Sequence, residues 1–312
     1  MRRMPHGTGG QLRGLRSTGR VVLFAVLVAT GWSAAAADVL AVIPEVSEPY
    51  RAVLDQIVDG MRMTTSVRVV QVSANARGGQ STLRTEEEKV AIALGATAVQ
   101  MADPLTARLP LVVGAIVTPV GTPPLPGVSL ETDPAALFQR LTQLLPTIRT
   151  VHWLYRPERS GWMLESAKTA ARRHNLRLVA LAVDNARSAT QRYQEILDSA
   201  DSRTDAVWLS QDPALIGTDS TLPDVLGRAW ARNIVIFSGS VQHVAHGVLF
   251  ALYPNNTAMG QHLARLALAR AGGSTAGFEP NRNVLSAINR RTAEHLGIAF
   301  ALDHFDLVLP AR

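Results

Sequence analysis

Nine short apolar runs, many of them rich in β-branched residues, are spaced along the chain with amphipathic stretches between them. They are Val39–Ile43, Val67–Val72, Lys89–Leu94, Leu111–Val117, Thr150–Tyr155, Arg177–Val183, Asp205–Ser210, Asn233–Ser238 and Gly247–Leu252. Nearly continuous apolar runs suit parallel strands covered on both faces, because a wet face would show alternation instead. The stretches between them have helical spacing. Tyr50, Val53, Leu54, Ile57, Val58 and Met61 fall on one helical face. Asp133-Pro134 offers an N-cap and then proline at the first helical position, ahead of Leu137, Leu141, Leu144 and Leu145. Met163–Ala171 and Met259–Ala267 read as further helices. Strand–helix alternation of this kind specifies an α/β fold of parallel sheets.

Charge looks at first like a pointer to polyanions, since the 312 residues carry a net +6. Its distribution says otherwise. Arg2, Arg3, Arg13, Arg16 and Arg20 precede Val21, and the first acid is Asp38. Past residue 37 the balance is 26 basic to 25 acidic side chains, a net +1, so no nucleic-acid partner is expected. The basic start, the short apolar run Val21–Trp32 and the small residues Ser33–Ala37 have the parts of a cleaved secretory signal peptide. Residues 1–37 are therefore read as a leader and the rest as a periplasmic protein. The sequence holds no cysteine, which excludes disulfides, thiol nucleophiles, Cys-ligated metals and a lipid-modified cysteine within it.

The remaining length suits two lobes of ordinary domain size. Thr118–Gly127 holds four of the 17 prolines, and Tyr253–Thr257 is a second break. They divide the chain into a first lobe of 38–130 plus 254–283 and a second of 131–253 plus 284–312, with hinges at 127–132 and 251–256.

Catalytic and cofactor signatures are missing. No Gly-x-Gly-x-x-Gly follows a strand, and no P-loop, Gly-x-Ser-x-Gly elbow or His-Glu-x-x-His occurs. His243 and His246 lack a third ligand nearby, and Asp201, Asp205 and Asp212 form no acid–base pair by spacing. Glu86–Lys89 reads as a solvated helix end. No enzyme activity, metal or cofactor is expected. Small polar residues do recur where strands end: Ser47, Gly95-Ala96-Thr97 and Thr118 in the first half, then Ser160-Gly161, Asp212, Ser238 and Ser240 in the second. Ligands of open α/β sheets bind at the carboxyl ends of strands, so these residues, with Tyr155, are the candidate contacts.

Several segments in order carry a resemblance. Leu154–Gly161 (LYRPERSG), Asp205–Asp212 (DAVWLSQD), Ile234–Ser240 (IVIFSGS) and Ile288–Ile298 (INRRTAEHLGI) are similar to a family of ABC-transporter substrate-binding proteins. Leu94–Ala98 resembles its first-lobe Gly-Thr-x-Ala turn, with alanine directly after the glycine. The family's Ser/Thr-Asp-Pro and Asn-x-Thr-Gly are replaced by Val117-Thr118-Pro119 and a short proline-rich link. The resemblance implies a type I periplasmic binding protein: two Rossmann-like lobes joined by a hinge that close on a small molecule. Some members bind tryptophan or tyrosine. On that reading Asp212 pairs with a ligand ammonium, backbone N–H groups at Gly95–Thr97 hold a carboxylate, and Tyr155 stacks on the ligand. The chain would act as a monomer delivering solute to an ABC permease. The same fold could instead serve a membrane sensor kinase or receptor, and an α/β hydrolase is the third alternative.

Overall fold

The chain passes between two sheets at three points that are hydrogen-bonded to each other. The computed structural model describes residues 37–73, 83, 85, 87–217, 221–299 and 301–310. The leader reading falls, apart from Ala37, outside the described residues. The first sheet has the order β11 (Phe278–Asn281), β5 (Gly127–Thr132), β4 (Leu111–Ile116), β3 (Val90–Leu94), β1 (Val39–Pro44), β2 (Val67–Val72), all parallel. The second has β13 (Leu307–Leu309), β12 (Val284–Asn289), β10 (Phe250–Pro254), β9 (Val235–Ser238), β8 (Asp205–Leu209), β6 (Thr150–Tyr155), β7 (Arg177–Ala182). Only the β10–β12 pairing is antiparallel.

Every apolar run becomes a strand because both of its faces are covered. In β1, Val39, Ala41 and Ile43 point into one core and Leu40 and Val42 into the other. The second sheet does the same, with Trp153 and Trp208 on one side and Leu154, Val207 and Leu209 on the other. Trp153 and Trp208 are register partners, and their rings stack 4.5 Å apart. Phe138 meets Trp208 edge-on at 5.6 Å.

Helices α1 (Tyr50–Arg62) and α9 (Asn256–Ala271) pack together over the first sheet. Two glycines permit this close approach. A Cβ on Gly60 would sit 2.0 Å from the Thr257 carbonyl oxygen, and one on Gly260 1.9 Å from that of Ile57. Short α2 (Ala96–Ala102) follows β3. Around the second sheet lie α3 (Pro134–Leu144), α4 (Pro157–Ser160), α5 (Leu164–Arg173), α6 (Ala186–Ser199), α7 (Thr221–Arg232), α8 (Val241–His246) and α10 (Arg290–His295). Asp133 caps α3, accepting from the Ala135 N–H at 2.9 Å, with proline at the first position as the sequence indicated.

The chain passes between sheets at Asp133, at Asn255 and at Arg282–Asn283. The Asp133 N–H donates to the Asn281 carbonyl and the Asn255 N–H to that of Asn283, both at 2.9 Å. Arg282 Nε donates to Asp133 Oδ2 at 2.8 Å. The Thr132 hydroxyl donates to the Leu252 carbonyl at 2.8 Å.

Some expectations change. Residues 127–132 are not a free hinge: as β5 they lie hydrogen-bonded between β4 and β11. The run at 247–252 starts its strand later and continues to Pro254, so the bend falls at Asn255. Strands β5, β11, β12 and β13 add to the nine runs. Glu88 is no solvated helix end either. It is buried before β3 and ion-paired with Arg68 Nε at 2.5 Å, while Lys89 meets Asp38 at 2.7 Å. Glu86 lies outside the described residues.

Candidate functional site

Parallel strand order lines up the candidate residues in two rows. Ser47, Gly95 and Thr118 follow β1, β3 and β4, which are neighbours, so they share one edge of the first sheet. Tyr155, Asp212 and Ser238 end or follow β6, β8 and β9, again neighbours, and share one edge of the second. The two edges meet at β5. Gln211 Nε2, after β8, donates to Glu131 Oε2 of β5 at 3.0 Å. Arg159, in α4, places Nη2 4.0 Å from Glu131 Oε1. Gly239, after β9, makes room for this contact, since a Cβ there would lie 2.1 Å from Gln211 Nε2 and 3.3 Å from Thr132 Oγ1. Beside it, the Trp162 ring of the second lobe packs edge-on against Phe278 of β11 at 5.1 Å.

The centre of this junction is charged. Asp212 is 1% exposed, and Arg156 donates to both its oxygens, Nε to Oδ2 at 2.5 Å and Nη2 to Oδ1 at 3.4 Å. Arg159 Nε stands 3.9 Å from Asp212 Oδ2 and, among the described residues, has no hydrogen-bond partner although it is buried. Arg156 also reaches Glu158 at 2.8 Å. The sequence reading had Asp212 free for a ligand ammonium. Instead its carboxylate is held by Arg156 and by the Ala214 N–H at 3.0 Å, because a buried lone carboxylate would be too costly to leave unpaired. Spacing had not singled out Glu131, Gln211, Arg156 or Arg159.

Other candidates are committed more locally. Ser160 is buried at 4% exposure, beside half-buried Gly161. Tyr155 is half-buried and stacked on Trp153 at 4.8 Å, so one face is already covered. Gly95 has φ +82°, which favours glycine, and its N–H is spent on the Gly114 carbonyl at 2.9 Å. Ala96 and Ser47 are exposed, and Thr97, Thr118 and Ser240 are half-buried. Ser238 is fully buried; its Oγ accepts from the Ser240 N–H at 3.2 Å and lies 2.8 Å from His243 Nδ1. Tyr50, at the start of α1 near Ser47, shares the helical spacing of Leu54, Ile57 and Met61 but is 70% exposed. Among the described residues no group of three or more His, Asp or Glu could hold a metal, and no helix is long and apolar enough to cross a membrane.

Two buried groups here titrate abnormally. Burial pushes the Glu131 carboxyl up to about 7; Arg159 opposes this, Asp212 adds to it and Gln211 opposes it. Burial, helped by His246, pushes the His243 imidazole down to about 4. Below pH 4.5 Glu131 contributes its full stabilisation, which is lost as pH rises through 7, because only the native state keeps that proton. His243 works oppositely. Its contribution is full above pH 6.5 and lost as pH falls through 4. Each is worth on the order of 3 kcal/mol. Between pH 4.5 and 6.5 the two slopes oppose each other, so Glu131→Gln should expose a stability that rises with pH. His243→Asn should expose one that falls. Urea unfolding across pH 4 to 8 measures both, and parallel profiles for the two variants would disprove the assignment.

The sequence model of the family described as ABC transporter substrate binding protein matches residues 73–301. No curated protein matches the chain. Among solved structures, a ligand-free, open substrate binding protein with adhesive properties from Clostridium difficile has a TM-score of 0.63 at 15% identity, covering 88% of this chain and 100% of that one. An ABC domain in complex with L-Trp from Streptococcus pneumonia has a TM-score of 0.54 at 18% identity, covering 87% and 99%. A conserved domain protein from Vibrio cholerae gives 0.54 and 18%, covering 86% and 99%. At such identities the likeness establishes the fold, two lobes of the type I periplasmic binding kind. The family match extends over most of the sequence, and the chain belongs to the ABC transporter substrate-binding proteins, a family of binding proteins rather than enzymes.

Proposed function

We propose that the chain is a periplasmic protein, without enzymatic activity, that captures a small amino-acid-like solute between its lobes for an ABC permease. Aromatic amino acids fall within the range. The observation that carries this is the incomplete hydrogen bonding of the Arg159 guanidinium, which pairs only at 3.9–4.0 Å with Asp212 and Glu131. Its buried Nε lacks a hydrogen-bond partner and its Nη2 stays 4.0 Å from Glu131. A zwitterion can enter between them, its carboxylate on the Arg159 fork and its ammonium on Glu131, while Arg156 keeps Asp212 paired. Ser47, the start of α2 at Ala96–Thr97 and Thr118 would form the opposite wall, and exposed Tyr50 rather than Tyr155 would stack on an aromatic side chain. The L-Trp held by the structural relative from Streptococcus pneumonia supports the amino-acid class. The two lobes, divided at the crossings so that 131–132 join the first and 254 the second, would move about those three tied points. A solute shifts that movement only by its differential affinity for the closed form.

The test is a thermal-shift screen of amino acids, nucleosides, sugars and small carboxylates on the purified chain. A true ligand at 100 times its Kd should add about 2.7 kcal/mol of stability. Arg159→Ala should remove that gain. Uniformly flat melting curves across the panel would contradict the proposal.

A further inference from the structure

At the pole where β9 and β10 begin, opposite the edge that carries Ser238, the second lobe has a cavity of about 670 Å³. Its walls come from the last turns of α7 and α8, from the starts of α10 and from the end of β13. This volume lies in the range of small-molecule sites, about 300–1,000 Å³. None of the interlobe residues lines it.

The chemistry of the wall is one-sided. Asn289 and Thr292 are spent on the fold: Asn289 Nδ2 donates to the Val244 carbonyl at 2.7 Å, its Oδ1 accepts from the Thr292 N–H at 3.0 Å, and the Thr292 hydroxyl donates to the Gly247 carbonyl at 2.8 Å. Among the described residues, Arg291 and His246 line it as the exposed basic groups, and no Asp or Glu does. Trp230 supplies a flat apolar surface. His295 stacks on its ring at 3.6 Å and the Arg291 guanidinium lies 5.5 Å from its centroid, yet 39% of the residue remains exposed. Gly227 keeps the floor open, since a Cβ there would meet nothing within 4 Å.

We propose that this cavity is a second small-molecule site, separate from the interlobe junction, for a planar apolar anion of the aromatic carboxylate class. The part of Trp230 left exposed beside His295 offers apolar contact to the ligand ring, and Arg291, which lies over the indole, takes the carboxylate through paired N–H donors. The charge complement selects against cations and neutral rings.

Calorimetric titration of the full chain with indole-3-acetate tests it. Saturable binding is expected with a Kd of about 1 mM or tighter. Arg291→Gln should weaken it by about tenfold or more, because a charge-assisted contact is lost. Gly227→Leu should abolish it while leaving the helix at least as stable, since leucine favours helix and fills the open space. Neutral indole should bind more weakly than the acid. Gln211→Ala, in the interlobe junction, should leave the titration unchanged, so failure here is distinct from failure of the solute-capture reading. Binding that survives both Arg291→Gln and Gly227→Leu, or no heat up to about 10 mM, overturns the proposal.

Discussion

Gly260→Ala and Gly60→Ala are each expected to destabilise the chain by about 1–3 kcal/mol. In an ordinary exposed helix the same change would stabilise by about 1 kcal/mol, because alanine is the better helix former. Here the sign reverses. The new methyl groups would lie 1.9 Å and 2.0 Å from carbonyl oxygens of the facing helix. Both obstacles are backbone, so no side chain can turn away, and α1 and α9 must separate. Separation loosens Ile57, Met61, Met259 and Leu263, which the two helices bury over the first sheet. The double variant should cost less than the sum of the single ones, since one separation relieves both clashes. Urea unfolding of the three variants measures this, and wild-type stability in either single variant would show that the helices are not in such contact.

Asp212→Ala is expected to cost about 2–3 kcal/mol and to weaken solute capture. The carboxylate ends the turn after β8, accepting the Ala214 N–H, and holds Arg156 at the mouth of the junction. Without it Arg156 loses its bidentate partner and Arg159 can turn fully to Glu131. That rearrangement limits the loss, and it also lowers the Glu131 pKa, because Asp212 helps to raise it. Asp212→Asn keeps the turn acceptor but sets an NH₂ against guanidinium donors. It should therefore recover only the turn bond, about 1 kcal/mol. Equal stability of Asp212→Asn and wild type would show that the ion pair contributes nothing.

Much of this architecture is visible in residue order alone. The nine apolar runs form strands because both faces of each sheet are covered, so no competing period blurs them. Helix α3 begins where Asp133-Pro134 places it, and α1 buries the spacing Leu54, Ile57, Val58 and Met61. Strand β5 was hidden because Gly-Val-Ser-Leu-Glu-Thr reads as a polar link. Its buried serine and glutamate are satisfied by Val117, Gln211 and Arg159, which cannot be seen from neighbours in sequence. Strand β11 is short and contains Pro280. The junction was partly legible. Asp212 and Ser160 stand out as loop residues after strands, but Glu131 and Gln211 lie 80 positions apart and gain meaning only when the sheets meet. Arg156 and Arg159 sit inside the recognisable LYRPERSG segment. Their part became visible only once Asp212 proved buried and in need of a cation.

Amide hydrogen exchange with and without the solute found by thermal shift tests solute capture between the lobes most directly. The account predicts added protection on both sides of the junction, around residues 156–161, 211–212 and 238–240 of one lobe and 45–51 and 95–97 of the other. Protection confined to a single lobe, or to the cavity beside Trp230, would contradict it.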